Sequence, residues 1–184
     1  MAEERLFSYD RIAVEEAASQ LRSGLRRRAS PLEISQLLSA LADLVLAPAI
    51  PSSSCQKGCS HCCKQSSIVI DEADAIVLSL ATNRPIADIS KSQVSDWKGV
   101  ACTFLNLEDG SCTAYAYRPL TCRLSISIDL PEKCFTEEER QMVVLPAVYS
   151  DLCKLVGDED RNAFFASRGA GRSGDIRAFF PPKV

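Results

Sequence analysis

Cysteine is the residue that most constrains this chain, because nine cysteines occur in 184 residues and eight of them lie within residues 55–134. The stretch CQKGCSHCC, residues 55–63, holds four of these cysteines together with the only histidine. A lone thiolate is costly to bury in a low-dielectric interior, and a shared metal cation offsets that cost. The spacing Cys55-x3-Cys59-x2-Cys62 lets one loop curl around a metal, and Gly58 gives that loop backbone freedom. The pattern therefore predicts a metal site.

The amino terminus bears on whether these cysteines could form disulfides instead. MAEERLFSYD carries acidic residues where a signal peptide needs a basic start and an apolar run, and no stretch approaches the ~18 apolar residues of a membrane span. We therefore expect a cytoplasmic protein without a membrane partner, in which thiols stay reduced. A disulfide knot and a set of reduced, buried cysteines remain the alternatives. For Cys153, on an apolar helical stretch without a cysteine neighbour, a reduced core thiol is the better interpretation.

Composition indicates an ordinary globular protein. Hydrophobic residues make up 46% of the chain and charged residues 24%, and the formal net charge of −3 favours neither nucleic acid nor an acidic substrate as a partner. A chain of this length can bury roughly two thirds of its unfolded surface without disulfides. We expect one compact domain with a helical segment at 1–50, a cysteine-cluster metal-binding region at 51–135, and helices with a Gly/Arg/Pro-rich tail at 136–184.

Helices are predicted on both sides of the cysteines. An amphipathic pattern runs from about Asp10 to Arg28, with Ile12, Leu21 and Leu25 among its apolar positions. Next, Ser30-Pro31-Leu32-Glu33 forms a capping box with proline at the first helical position, and Pro48 stops the helix that it opens. The apolar stripe of that second helix consists of Ile34, Leu37, Leu38, Leu41, Leu44 and Val45.

Further helices are predicted along the rest of the chain. Asp71 and Asp74 begin one that reaches about Leu80. A weaker helix around residues 90–98 carries Trp97. A second capping box, Thr136 to Glu139, leads into a helix that Pro146 kinks or divides and that Gly157 ends. We expect the stretch from about Arg168 onward to be a loose tail or an arm laid over a partner.

Short strands and one hairpin lie between these helices. SIVI, residues 67–70, and the alternating LSISID, residues 124–129, read as short strands. In ACTFLNLEDGSCTAY, Asp109-Gly110 predicts a tight hairpin turn that brings Cys102 and Cys112 close together. YAYRPLTCR reads as a proline-bearing loop. The expected fold is therefore mostly helical α+β, with helices packed around a loop-rich, metal-bound cysteine centre that contains a small β-hairpin.

CQKGCSHCC followed by CTFLNLEDGSCTAYAYRPLTCR resembles the YkgJ-type cysteine-cluster family, described as candidate zinc- or iron-chelating proteins. The resemblance covers about residues 55–134, and the flanks lie outside it. A similar cluster occurs in flagellin lysine N-methylase, but nothing in these flanks indicates that activity, so the methylase function is not carried over. The resemblance implies eight metal ligands: Cys55, Cys59, Cys62, Cys63, Cys102, Cys112, Cys122 and Cys134.

Basic and aromatic residues near the thiols are candidates for cofactor binding. Lys57, Arg118 and Arg123 lie close in sequence to cysteines, where positive charge lowers thiol pKa values and balances an anionic site. Tyr115 lies beside Arg118 and could line a pocket, although packing over the metal loop is the simpler role. His61 is open to interpretation as a ligand, as a donor to a ligand, or as a solvated loop residue.

The identity of the metal and the role of the centre stay open at this point. An iron-sulfur cluster, [4Fe-4S], is the first expectation, because the tight cysteine run is typical of such sites; zinc is the alternative, since eight thiols would serve two tetrahedral sites. Cys62 and Cys63, on an extended segment, would point apart and could feed two centres. One hypothesis is a structural or electron-transfer module that acts with a protein partner. The other is a small metalloenzyme modifying a protein or peptide, with an open metal position near Arg118 and Tyr115.

Overall fold

A computed structural model of the chain describes residues 9–55, 58–65, 67–87, 97, 99–128, 134, 142–143, 145–167 and 172–182. These residues form helices and two short antiparallel sheets of two strands each, so the fold is mostly helical α+β, as predicted. The chain divides into two compact units, Met1–Cys55 with Arg123–Ser167 and Gln56–Cys122 with Arg168–Val184. The boundaries of these units differ from those of the three segments expected from sequence. The three-segment organisation stays a prediction.

Two capped helices begin the first unit. Helix α1, Arg11–Arg26, starts where the Asp10 side chain accepts hydrogen bonds from two backbone N–H groups of the first turn. Helix α2, Pro31–Leu46, starts where Ser30 Oγ accepts from the Glu33 N–H at 3.3 Å, which confirms the predicted capping box. The two helices pack together through their apolar stripes. The buried residues include Val14, Ala18, Leu21, Leu25, Ile34, Leu38, Leu41 and Val45.

The expectation for Ile12 was wrong, because this side chain is 75% exposed. It lies within the first turn of α1, and the buried stripe of that helix begins two positions later. A periodic pattern tolerates one such outlier, since isolated apolar residues are common on protein surfaces.

The second half of the first unit adds a small sheet and two more helices. Strand β2, Ile126–Ser127, pairs with strand β3, Met142–Val143, and helices α6, Leu145–Val156, and α7, Asp158–Ser167, follow. Pro146 therefore lies in the first turn of α6, where its missing N–H breaks no helical hydrogen bond, and not within a longer helix. Gly157 ends α6 with φ +82°, as predicted. The capping box at 136–139 lies outside the described residues.

The second unit is built around one short sheet. Helix α3, His61–Gln65, leads to strand β1, Val69–Asp71, and then to helix α4, Glu72–Thr82. The Asp71 side chain accepts from the Asp74 N–H at 2.9 Å, and Asn83 ends α4 in the left-handed region with φ +53°. Strand β4, Ser173–Asp175, pairs antiparallel with β1 and runs into helix α8, Ile176–Phe179.

This carboxy-terminal segment corrects the sequence expectation of a loose tail. Ile176, Phe179 and Phe180 are buried in the core of the second unit, and Asp175 and Arg177 are fully buried beside them. The Gly, Arg and Pro content of this segment suggested a solvated arm. In the structure Asp175 pairs with Arg177, so their opposite charges neutralise each other and the segment can be buried.

The region between α4 and β2 agrees with the sequence in part. The predicted hairpin turn is confirmed by the Gly110 N–H donating to Asn106 O at 3.0 Å and by the bridge between Leu105 and Cys112. The predicted proline-bearing loop instead contains a 3-10 turn, Tyr115–Tyr117, and helix α5, Leu120–Leu124. Most of the helix expected at 90–98 lies outside the described residues. In the described part of the chain, no helix combines the length and apolar character that a membrane crossing requires.

Candidate metal centre

Four thiols of the second unit converge on one apolar core. Cys63 lies on α3, Cys102 in the loop before the hairpin, Cys112 on the returning arm of the hairpin and Cys122 on α5. Every pair among these four lies close enough for the charge of one thiolate to raise the pKa of the other. All four pack on or belong to a single hydrophobic cluster, whose other buried members are Ile68, Ile70, Ala75, Leu78, Phe104, Ala114, Ile176, Phe179 and Phe180.

Backbone hydrogen bonds hold the segments that carry these thiols together. The Cys102 N–H donates to the Cys63 carbonyl at 2.6 Å, which joins the loop to α3. The Thr113 N–H donates to the Phe104 carbonyl at 2.8 Å and closes the base of the hairpin. These hydrogen bonds fix the backbone of segments that are distant in sequence, and so bring the cysteines that they carry to one place. A metal site requires such preorganisation.

Burial makes these thiols hard to ionise without a cation. Desolvation, together with the smaller effect of charges on neighbouring cysteines, raises the pKa of Cys63 to about 12. Burial is also the main cause that raises the pKa of Cys102, Cys112 and Cys122. At neutral pH the metal-free thiols are therefore protonated, and a bound metal would release their protons because it stabilises the thiolate form.

Two of the loops already aim backbone donors at sulfur. The Phe104 N–H hydrogen-bonds to Cys102, the Ala114 N–H hydrogen-bonds to Cys112, and each bond lowers the pKa of its thiol. The same short pattern, Cys-Thr-x, produces both bonds from two residues downstream of the cysteine. Donors to sulfur favour the thiolate, so the backbone partly offsets the burial cost at these two positions.

Arginine side chains provide positive charge near the same two cysteines. Arg118, a predicted cofactor-binding residue, lowers the pKa of Cys112 through its charge and stacks 3.9 Å above the ring of Tyr115, which is 59% exposed. Arg177 lowers the pKa of Cys102. Sequence reasoning missed Arg177, because no cysteine lies near it in the chain; the only available signal was its spacing from Asp175.

Cys59 and Cys62 also belong to the second unit, and the charge of each raises the pKa of Cys63. Cys59 is exposed, and Cys62 lies with Cys63 on α3. The expectation of an extended segment here was wrong, since these neighbours are helical. Successive side chains on a helix differ by about 100° in direction, so the two thiols still diverge. His61, half-buried, is the first residue of this helix.

The other predicted site residues fall elsewhere. Cys55 and Cys134 belong to the first unit, where Cys55 Sγ accepts from the Ser127 N–H at 3.3 Å and Cys134 is 6% exposed. Arg123 makes two contacts of 2.8 Å with the carboxylate of Asp43 in that unit. Lys57 lies outside the described residues. The ligand roles of Cys55 and Cys134, and the cofactor roles of Lys57 and Arg123, stay predictions.

The donor set of four thiols limits the metals that fit. All nine cysteines are free thiols, and four gathered thiols suit zinc or iron, both of which bind thiolate sulfur well. Within the described residues, no group of three His, Cys, Asp or Glu side chains already stands in metal-binding geometry. Binding would therefore require the cysteine side chains to close on the metal, with the backbone segments already in place.

Comparison with known protein families gives a match for the cysteine-rich part of the chain. The family model CxxCxxCC, described as "Putative zinc- or iron-chelating domain", matches residues 54–146. The matched range includes the eight cysteines from Cys55 to Cys134, whereas Cys153 and Arg177 lie outside it. No curated protein and no solved structure shows significant similarity to this chain.

Proposed function

This chain belongs to the CxxCxxCC family of zinc- or iron-chelating domains, and we propose that its second unit holds one metal centre on four thiolates. The observation that supports this assignment is the convergence of four thiols, one on a buried residue and three on half-buried residues, from four separate segments on one apolar core. Cysteines used only as small core residues need not meet in one cluster, whereas metal ligands must. The proposed ligands are Cys63, Cys102, Cys112 and Cys122.

An iron-sulfur cluster of the [4Fe-4S] type is the cofactor that we propose, with zinc as the alternative. Both take four thiolates. Cys59 and Cys62 lie within electrostatic reach of Cys63, so the region offers six thiols, two more than either cofactor uses. The iron-sulfur cluster is placed first because the tight Cys55-x3-Cys59-x2-Cys62 run is typical of such sites. When bound, an iron-sulfur cluster would supply one-electron transfer, and zinc would supply a cross-link between the four segments.

The role that fits this arrangement is structural or electron-transferring, in concert with a protein partner. Four protein ligands close the coordination sphere, and a closed site stabilises loops or passes electrons but leaves no position for a substrate. Each of the chain's own residues then has a defined part: the thiols bind the metal, the Phe104 and Ala114 N–H groups orient two sulfurs, and Arg118 provides charge near Cys112.

The test is metal and inorganic sulfide analysis of the full chain purified without oxygen, with a visible spectrum. Iron and sulfide in matching amounts would support the iron-sulfur assignment, and zinc without sulfide would select the alternative. Ser substitution of each proposed ligand should lower the metal content, and Cys153→Ser should leave it unchanged. Metal-free wild-type protein, or full metal loading in all four ligand variants, would overturn the proposal.

A further inference from the structure

A groove of about 400 Å³ lies in the second unit, along the segment that carries Cys102. Its lining is mostly apolar, and Arg84 is the only charged residue among the described residues that line it. Leu107, one of the lining residues, is 68% exposed, so the groove is open to solvent on that side. A concave apolar surface with an exposed leucine is typical of a site that another molecule covers. The other lining residues are Ala101, Cys102, Thr103, Leu105 and Pro182.

The Arg84 side chain has a fixed position in this groove. Its Nη1 donates to the Thr103 carbonyl at 3.1 Å, and its Nη2 donates to the Pro181 carbonyl at 3.2 Å. The guanidinium carbon also lies over two aromatic rings, 5.1 Å from the centre of the Phe104 ring and 5.9 Å from that of Phe180. A side chain held by these contacts loses little further conformational freedom when it binds a ligand.

The charge of Arg84 has no carboxylate partner among the described residues. The two backbone carbonyls accept hydrogen bonds from the guanidinium but carry no net charge, so they leave its charge unbalanced, and the guanidinium keeps further N–H donors. A half-buried cation that is fixed in place and not neutralised attracts an anionic group of a partner. Other arginines of the described chain do pair with a carboxylate: Arg22, Arg26, Arg27, Arg123, Arg172 and Arg177.

The lining of the groove determines the chemistry of the partner. A single guanidinium matches the single charge of a carboxylate, whereas phosphorylated peptides are typically bound by clusters of arginines. The apolar lining favours large apolar side chains next to that carboxylate, because their contact with Leu105, Leu107 and Pro182 removes apolar surface from water. The volume lies near the lower end of the range for ligand sites, about 300–1,000 Å³, so the groove accommodates only a short segment.

We propose that this groove is the docking site for a protein partner, which binds through a short segment with an acidic residue between large apolar side chains. The carboxylate pairs with Arg84, and the apolar side chains cover Leu105, Leu107 and Pro182. This inference deepens the proposed function, because it rests on the role in concert with a protein partner. Cys102 lines the same groove, so a docked partner lies against the segment that carries one proposed metal ligand.

The probe is a library of fluorescein-labelled pentapeptides with aspartate at the centre and leucine, isoleucine, valine or phenylalanine at the other positions. Two matched libraries replace either the central aspartate by asparagine or all the apolar residues by serine. Binding to the full chain, purified without oxygen, is measured by fluorescence anisotropy. The aspartate library should contain peptides that bind. The tightest of them should bind about tenfold more weakly with asparagine at its centre, because hydrogen bonds between charged groups are lost.

Variants of the full chain then test the charged and the apolar part of the groove separately. Arg84→Gln should weaken the aspartate peptide about tenfold and the asparagine peptide much less, since only the aspartate peptide loses a charge pair. Leu107→Ser should weaken both peptides about tenfold, because apolar contact is lost. Leu80→Ser and Arg172→Gln are the matched controls in the same unit, on a leucine that is 63% exposed and an arginine that is 46% exposed, and should bind as wild type does.

Several results would overturn the inference. One is an aspartate library that binds no better than the asparagine or the serine library. Another is an equal loss of both peptides in Arg84→Gln, which would mean that Arg84 only joins the Thr103 and Pro181 segments. Wild-type affinity in Leu107→Ser would also refute the docking site. If circular dichroism shows that Arg84→Gln does not fold, Leu107→Ser and the comparison of the libraries on wild-type protein decide.

Sedimentation and metal analysis of the same samples separate the remaining alternatives. A dimer that dissociates in Leu107→Ser would assign the groove to a second copy of this chain and would overturn the proposed partner. Metal-free protein that selects the aspartate peptides would refute the metal centre and support the docking site. Metal-loaded protein that selects none of them would refute the docking site alone.

Discussion

Replacing Cys122 by serine tests the four-thiolate centre most directly. Cys122 lies on α5, and the charges of the other three proposed ligands all raise the pKa of its buried thiol. Structural zinc sites bind with an apparent free energy of about 10–16 kcal/mol at neutral pH. An equal share for one of four ligands is roughly 2.5–4 kcal/mol. Because 1.4 kcal/mol corresponds to a factor of ten, affinity should fall by about two to three orders of magnitude.

The assay is chelator competition at fixed pH, with metal content followed through the titration. Cys153→Ser is the matched control, since Cys153 lies on α6 in the first unit and is half-buried there. Unfolding of the metal-free proteins in urea separates metal binding from any cost that the serine hydroxyl adds to folding, which is about 1–3 kcal/mol for an unpaired buried group.

Cys59→Ser then distinguishes the ligand set predicted from sequence spacing from the ligand set proposed from the structure. Sequence spacing makes Cys59 a ligand, whereas the structure gathers a quartet that does not need this exposed residue. Metal affinity within threefold of wild type in Cys122→Ser would refute the quartet. A loss in Cys59→Ser equal to that in Cys122→Ser would show that the quartet is the wrong choice of four.

Three further predictions concern the scaffold. Gly110→Ala should destabilise the protein by at least ~1–2 kcal/mol in urea unfolding, because Gly110 has φ +71° and a Cβ there would lie 2.5 Å from the Gly58 carbonyl oxygen; wild-type stability would contradict this. Ser30→Ala should cost about 1 kcal/mol by removing the α2 cap, and an unchanged urea midpoint would argue against that cap. Asp160→Asn should flatten the acid dependence of thermal unfolding. Arg26 lowers the pKa of Asp160 below 3.8, so the pair stabilises the fold above that pH and loses its contribution as pH falls through the lowered pKa; parallel curves for variant and wild type would refute this.

Local structure was largely predictable because short-range chemistry determines it. Ser30 and Asp71 cap the helices that follow them, as their spacing to the first-turn N–H groups requires. Asp109-Gly110 forms its turn because glycine reaches a positive φ at little cost. Among the expectations that failed, the loose tail after Arg168 depended on long-range packing, which buries Ile176, Phe179 and Phe180 in the core of the second unit.

The sequence alone determined that cysteines dominate the chemistry and that a metal is their best use, because thiol density and spacing are properties of the chain itself. Which thiols meet was decided only by the tertiary structure. Eight cysteines within 80 residues allow many sets of four, and backbone pairing between distant segments, not spacing, brings one set together. Arg177 shows the same limit of sequence reasoning. β4 pairs with β1, and the residues that follow β4 are buried, so a guanidinium that the sequence assigns to a loose tail lies in the core.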